Sequence, residues 1–179
     1  MASLPVSISP AFAIETNLLR LHFHLLDVEM ASVSRETGRV DIKLPRAVWG
    51  GRLTLVQSEW LRAVVAEELR LQARELLPPR LKAYAAAYHL RPTGMTIKNM
   101  SSRWGSCSAK RHINLSLWLL LFDSELVDYV IKHELCHLCE MNHGPRFWAL
   151  LDEMTQGRAR ELQRLLRRRV IELCRPAAH

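Results

Sequence analysis

No stretch of this 179-residue chain is apolar for the roughly 20 residues that a membrane-spanning helix needs, and the run Leu117 to Phe122 is far too short. Basic residues are missing before Arg20, and Pro5 and Pro10 interrupt the opening segment. It has neither the charged start nor the unbroken apolar run of a secretory signal. Cysteine is scarce as well. The four cysteines include Cys136 and Cys139 in one short segment, but no second such pair, so they do not make a disulfide framework. Reduced thiols acting as small buried hydrophobes are the expected identity, with a redox or zinc-binding pair as the alternative. These absences predict a soluble, cytoplasmic protein without a membrane partner. One domain over 1–179 can bury about 70 percent of the surface its unfolded chain exposes and needs no staples.

Positive charge is present, but it is unevenly placed. The net charge is +7, and residues 158–175 hold seven arginines against Glu161 and Glu172, a balance of +5 in that segment alone. Leu162, Leu165, Leu166, Val170 and Leu173 recur there at helical spacing, which predicts a basic amphipathic helix whose apolar stripe docks on the domain. Its arginines are either a solvated face or a footprint for nucleic acid, although the aromatics that single-strand binding uses are not interleaved with them.

The chemistry is concentrated in His133-Glu134-Leu135-Cys136-His137, followed by His143. Residues four apart share a helix face, so the imidazoles of His133 and His137 can converge on one ion. Glu134 lies about 100° round the helix, placed to take a proton from a water at the metal without occupying a coordination position. The preceding segment from Ser124 supplies a capping residue, an acidic first turn, and Val127, Ile131, Leu135 and Leu138 as a core stripe. His143 is too far along to belong to the same stripe. The chain must leave the helix and turn back, for which Asn142 and Gly144 offer left-handed conformations and Pro145 a new helix start. Glu140, Asp152 and Glu153 are rivals for the third ligand. Three protein ligands leave one tetrahedral position open, the arrangement of a hydrolytic Zn2+ site.

The spacing from His133 to His143 also fits the metzincin pattern, but those enzymes carry glycine where this chain has Glu140. Arg103-Trp-Gly-Ser-Cys107, Ile113-Asn-Leu115, Asp128-Tyr-Val-Ile-Lys-His-Glu-Leu-Cys-His137, Asn142-His143 and Phe147-Trp148 instead resemble the YgjP-like metallopeptidase family, distant relatives of SprT-like proteases. The resemblance is strongest over about 95–155. It implies that His133, His137 and His143 hold zinc and that Glu134 is the catalytic base.

Along the rest of the chain, Leu18 to Met30 reads as a strand with His22 and His24 on its polar face, as paired ligands or simply exposed residues. With a turn at Glu36-Thr-Gly38 and a strand from Val40 to Leu44, it suggests a hairpin. Ser58 is the expected cap of a helix running to about Leu76, with Leu61, Val64, Val65 and Leu69 buried. Pro78 and Pro79 are expected to end it and start another, bearing Leu81, Tyr84, Ala85 and Tyr88 on one face. Trp60 reads as a core anchor. Met95 to Met100 and Arg111 to Ser116 read as short strands. Ile113-Asn114-Leu115 is either an edge strand that binds substrate main chain, with Asn114 lining the groove, or an inner strand. Arg103 and Trp104 would brace the site or pack beneath it. Phe147 and Trp148 would anchor the helix that follows His143. For an oxyanion donor the neighbouring candidates are Arg146, Asn142, His112 and Tyr129.

The whole predicts an α+β fold of zincin type, a small mixed sheet packed on helices with the metal helix at the active site. The expected activity is zinc-dependent hydrolysis of peptide bonds in a peptide or protein substrate. Hydrolysis of nucleotides or other small phosphoanhydrides is an alternative, ranked lower because no glycine-rich phosphate cradle occurs. A nucleic-acid-associated, SprT-like protease and a noncatalytic zinc-binding protein are the others.

Overall fold

Leu21, Val40, Ile42 and Leu44 alternate with polar residues and are completely buried, so the N-terminal strands close over a core as their pattern requires. The computed structural model describes residues 8–100 and 102–174. Pro5 and Arg175 lie outside these residues, as does the side chain of Cys174. Four strands, β1 (Ile14–Glu15), β2 (Arg20–Leu26), β3 (Ser32–Glu36) and β4 (Arg39–Pro45), form a sheet in the order β1-β2-β4-β3. The expected hairpin between the two apolar strands does not form. β2 runs parallel to β4, from Arg20 opposite Arg39 to Leu26 opposite Pro45, and the hairpin partner of β4 is β3. Parallel neighbours need an intervening return segment. β3 supplies it, and because its face is mostly exposed it carries no apolar alternation to reveal it. Gly38, at φ +80°, makes the turn.

After a short α1 (Arg46–Trp49) comes helix α2 (Leu55–Ala87). Its cap is Thr54, not Ser58: the Thr54 hydroxyl accepts from the Gln57 backbone N–H, and the Gln57 side chain takes the Thr54 N–H in return. The helix continues through Pro78 and Pro79. The two missing N–H groups leave the carbonyls of Arg74 and Glu75 unpaired within the helix. Both residues are exposed to water, while buried Leu77 and Leu81 clamp the helix on either side of the prolines. Buried Glu68 and Gln72 tie α2 to the hairpin: Arg35 donates to both Glu68 oxygens at 2.8 and 2.6 Å, and Gln72 bonds Glu36 O and Gly38 N. Trp60 is not a core anchor; it is 40% exposed and packs on Trp49.

A second sheet, of β5 (Gly94–Lys98), β6 (Gly105–Cys107) and β7 (His112–Ser116), has the order β5-β7-β6. Asn114 therefore lies on the inner strand, and the edges belong to β5 and β6. Leu117–Leu121 follow as a fully buried 3-10 turn, and Trp118 donates from Nε1 to Asn99 at 2.7 Å. The one conspicuous apolar run is thus a core plug. No helix among the described residues is long and apolar enough to cross a membrane.

Three helices complete the α+β fold: α3 (Ser124–Cys136), α4 (Pro145–Met154) and α5 (Ala159–Cys174). Ser124 is the first residue of α3 rather than its cap. Its N–H donates to Asn17 Oδ1 at 2.7 Å, so a distant loop caps the helix that carries the histidines. The stripe of α5 packs as expected, with Leu162 buried and Leu165, Leu166, Val170 and Leu173 against the core.

Candidate metal centre

Val127, Ile131 and Leu135 are completely buried and lock α3 onto the core, which turns the next face, bearing His133 and His137, toward the second sheet. The helix ends at Cys136, and a turn closed by Glu140 N to Cys136 O at 2.9 Å leads out. Neither Asn142 nor Gly144 is left-handed; Gly144 is extended, with φ −78° and ψ −176°, and Pro145 opens α4 as expected. The reversal is spread over several residues, so it needs no single strained position.

It delivers His143 to the other two imidazoles. The ring centroids of His133, His137 and His143 lie 4.8–5.0 Å apart, and His133 Nε2 and His143 Nε2 face each other at 3.0 Å. Among the described residues these three form the one group of ligating side chains close enough to share an ion. Glu140, Asp152 and Glu153 are not part of it. Asp152 instead accepts from Ala159 N at the start of α5, and the Glu140 carbonyl accepts from His137 Nδ1 at 3.0 Å. That bond leaves His137 Nε2 as the lone-pair nitrogen. Burial, with the neighbouring imidazoles adding to it, pushes His133 down to about 3, and burial also lowers His137. Both shifts favour the neutral form, the state that ligates. Three imidazoles close enough to share one ion suit a divalent cation, and this donor set fits zinc.

Phe147 lies beneath all three rings, with centroids 4.6–4.9 Å away, and is completely buried. Trp148 donates from Nε1 to the His143 carbonyl at 3.1 Å, and its ring is covered by the Arg160 guanidinium at 3.4 Å. These contacts anchor α4 and fix His143, as the sequence suggested. Trp148→Phe keeps the ring and removes the bond, and should weaken metal binding by about 10-fold in a chelator competition titration. Unchanged affinity would mean that Phe147 alone positions the loop.

Glu134 is 5% exposed, and its Oε2 is the buried side-chain oxygen without a hydrogen-bond partner among the described residues. Burial pushes its pKa up to about 8, against the pull of Arg103. Sequence reasoning missed what surrounds it. Gly105, on the edge strand β6, lies so close that a Cβ there would stand 2.6 Å from Glu134 Oε1 and 2.7 Å from its Cγ. An isolated glycine within a strand is the signal that could have found this approach. Arg103, Gly105, Ser106, Met141 and the three histidines line a cleft of about 310 Å3 around the carboxylate.

Other candidates lie elsewhere. Asn114 does not line the cleft; its side chain donates to Ser106 Oγ at 3.2 Å and supports β6 from the inner strand. His112 bonds Thr96, and Arg146 is turned toward Glu140. Tyr129 is buried in the wall, its ring 6.1 Å from that of His133. His22 and His24 pair with Glu15 and Asp41, each at 2.8 Å, and are not brought together as ligands. Cys136 is buried against Met154, whereas Cys139 is exposed, and both are free thiols.

Converging imidazoles beside a sequestered carboxylate describe the class of metal-dependent hydrolases. The family of YgjP-like proteins, described as a metallopeptidase domain, matches residues 19–169, and the chain belongs to that family. It is therefore a metal-dependent peptidase domain. No curated protein matches. Among solved structures, the metallopeptidase zymogen abylysin of Pyrococcus abyssi is similar at 22% identity and a TM-score of 0.45, covering 50% of this chain and 91% of that one. The metallopeptidase zymogen jannalysin of Methanocaldococcus jannaschii is similar at 24% identity and a TM-score of 0.40, covering 49% and 94%.

Proposed function

We propose that the chain is a zinc peptidase in which His133, His137 and His143 hold the ion and Glu134 is the general base. The observation that carries the proposal is the union of three facing imidazoles with a buried carboxylate that has an unsatisfied oxygen. Bound there, zinc would polarise a substrate carbonyl and acidify a water. Glu134 accepts the proton and passes it to the leaving amine, and its near-complete burial keeps bulk water from competing for it. The edge of β6, rather than the strand of Asn114, holds the substrate backbone by pairing with it in extended form. Asn114 acts through Ser106 to keep that edge in place.

The single buried cluster that joins both sheets and all the longer helices supports one functional unit, and the free thiols suit a reducing cytoplasm. The nucleic-acid reading of α5 gains no support. Arg158 is held by Glu125 and Glu161, Arg160 by Trp148 and Arg169 by Glu172. Elemental analysis of purified protein, with turnover of a peptide library, tests the proposal; a metal-free protein or turnover of nucleotides alone would overturn it. His143→Ala should cut zinc occupancy about 10-fold or more at fixed zinc concentration, and full retention would move the third-ligand role elsewhere.

A further inference from the structure

A second hollow, of about 560 Å3, opens from the metal cleft and shares Arg103, Gly105, His133 and Glu134 with it. Its other walls are largely hydrocarbon. Trp104 comes from the segment before β6, Tyr129 and Val130 from α3, and Leu166, Val170 and Ile171 from α5. The amphipathic C-terminal helix therefore forms one side of the space beside the reacting centre. That wall is fixed in place: Leu162 is buried, and Arg158 at the foot of α5 bonds Glu125 of α3 at 2.6 Å.

Two cations stand in this lining, Arg103 and Arg167. Both are exposed, and neither makes a hydrogen bond or salt bridge with a described residue, in contrast to Arg158, Arg160 and Arg169. A lysine or arginine side chain entering here meets two like charges. A neutral polar one loses water and finds Gln163 as the one uncharged amide in the lining. A large apolar side chain gains from burial against Trp104, Tyr129 and Val170, and a carboxylate next to it meets two exposed guanidinium groups without a hydrogen-bond partner among the described residues.

We propose that this hollow is a specificity subsite that takes a large aromatic or aliphatic substrate side chain beside the scissile bond, with an adjoining carboxylate held by Arg103 and Arg167. The proposal rests on the peptidase reading of the metal cleft. The carboxylate has two sources of one chemistry, the side chain of a neighbouring Glu or Asp, or the free end of a short peptide.

The test uses the zinc-loaded full chain and a peptide series. One position is varied among Phe, Leu, Ala and Lys, its neighbour among Glu, Gln and Lys, and each peptide is made as the free acid and the C-terminal amide. Phe or Leu with a carboxylate should exceed the Lys-containing peptides in kcat/KM by roughly 30-fold. Loss of the advantage on amidation identifies the chain end, and persistence in amides with an internal Glu identifies the side chain. Arg167→Glu, a surface change, should shift the acidic-to-basic ratio at least about 10-fold toward the basic peptides. Ile171→Trp, at the exposed rim, should lower the Phe-to-Ala ratio by a similar factor. Ratios are read because they are insensitive to a general loss of active protein. Equal turnover of all peptides, or ratios that neither variant moves, would overturn the subsite.

Calorimetric titration of the same peptides into zinc-loaded Glu134→Gln protein reads binding without turnover and separates the two proposals. Selective binding with no cleavage by the wild type sinks the peptidase reading and leaves the subsite standing. Cleavage with unselective binding does the reverse.

Discussion

Glu134→Gln should lower kcat for peptide hydrolysis by roughly 1000-fold, within the span that a positioned general base contributes, while zinc content and thermal stability stay near those of the wild type. The substitution conserves shape in a site where shape is constrained, since Glu134 is 5% exposed and faces Gly105. It removes proton affinity and little else. The three imidazoles have their own supports: His137 donates to the Glu140 carbonyl, Phe147 underlies all three rings, and Trp148 holds the His143 carbonyl. None of these passes through the carboxylate. Stopped-assay kinetics with parallel elemental analysis check the outcome. Full activity would remove Glu134 from the chemistry, whereas loss of zinc together with activity would make it a ligand instead of a base.

The second large effect comes from a residue with no functional group. Gly105→Ala should reduce kcat/KM by about 100-fold with zinc retained, because the added methyl would stand 2.6 Å from Glu134 Oε1 and 2.9 Å from its Cδ. Contacts that short cannot persist, so either the carboxylate swings away or β6 retreats from α3. Either movement misplaces a reacting group by a distance on the order of 1 Å, enough for such a loss. Overpacking should also cost about 1–3 kcal/mol of stability, seen as a lower Tm. Combining Gly105→Ala with Glu134→Asp shortens the clashing side chain, and this double variant should recover Tm without recovering activity. Coupling of this kind is expected only for residues in contact. A Gly105→Ala protein as active as the wild type would show that β6 does not hold Glu134 in place.

The two predictions differ in how visible their residues are before folding. Glu134 is conspicuous because helix geometry fixes its relation to His133 and His137 over a few bonds, so the motif carries its own coordinates. His143 is legible for a related reason: a short loop, with Pro145 ready to start α4, lets the chain turn back toward the helix it has left. Even so, the expected means was wrong. Asn142 and Gly144 keep ordinary backbone angles, and the reversal comes from a hydrogen-bonded turn after Cys136.

Strand pairing was much less legible. Alternation marks strands within Leu18 to Met30 and from Val40 to Leu44, but it does not show that β2 and β4 run parallel or that the exposed β3 makes the hairpin. Pattern reports burial; it does not report direction. Pattern leaves Asn114 open between a groove residue on an edge strand and an inner-strand residue, and β7 is the inner strand, with β6 outside it. Residue type predicts Trp60 in the core, although its place on α2 leaves it 40% exposed and packed on Trp49. Pro78 and Pro79 predict a break, as they would make in an isolated helix. Buried Leu77 and Leu81 override that preference.

The sequence by itself determined the His133, Glu134 and His137 candidates, the helix that carries them and the apolar stripes that orient α3 and α5, because these follow from the spacing of residues along one element. Only the tertiary structure decided which strand borders the cleft, that Gly105 admits Glu134, and that α5 walls a hollow beside the metal centre. Those relations join segments far apart in the chain, and their geometry is set by how whole elements pack rather than by any local preference.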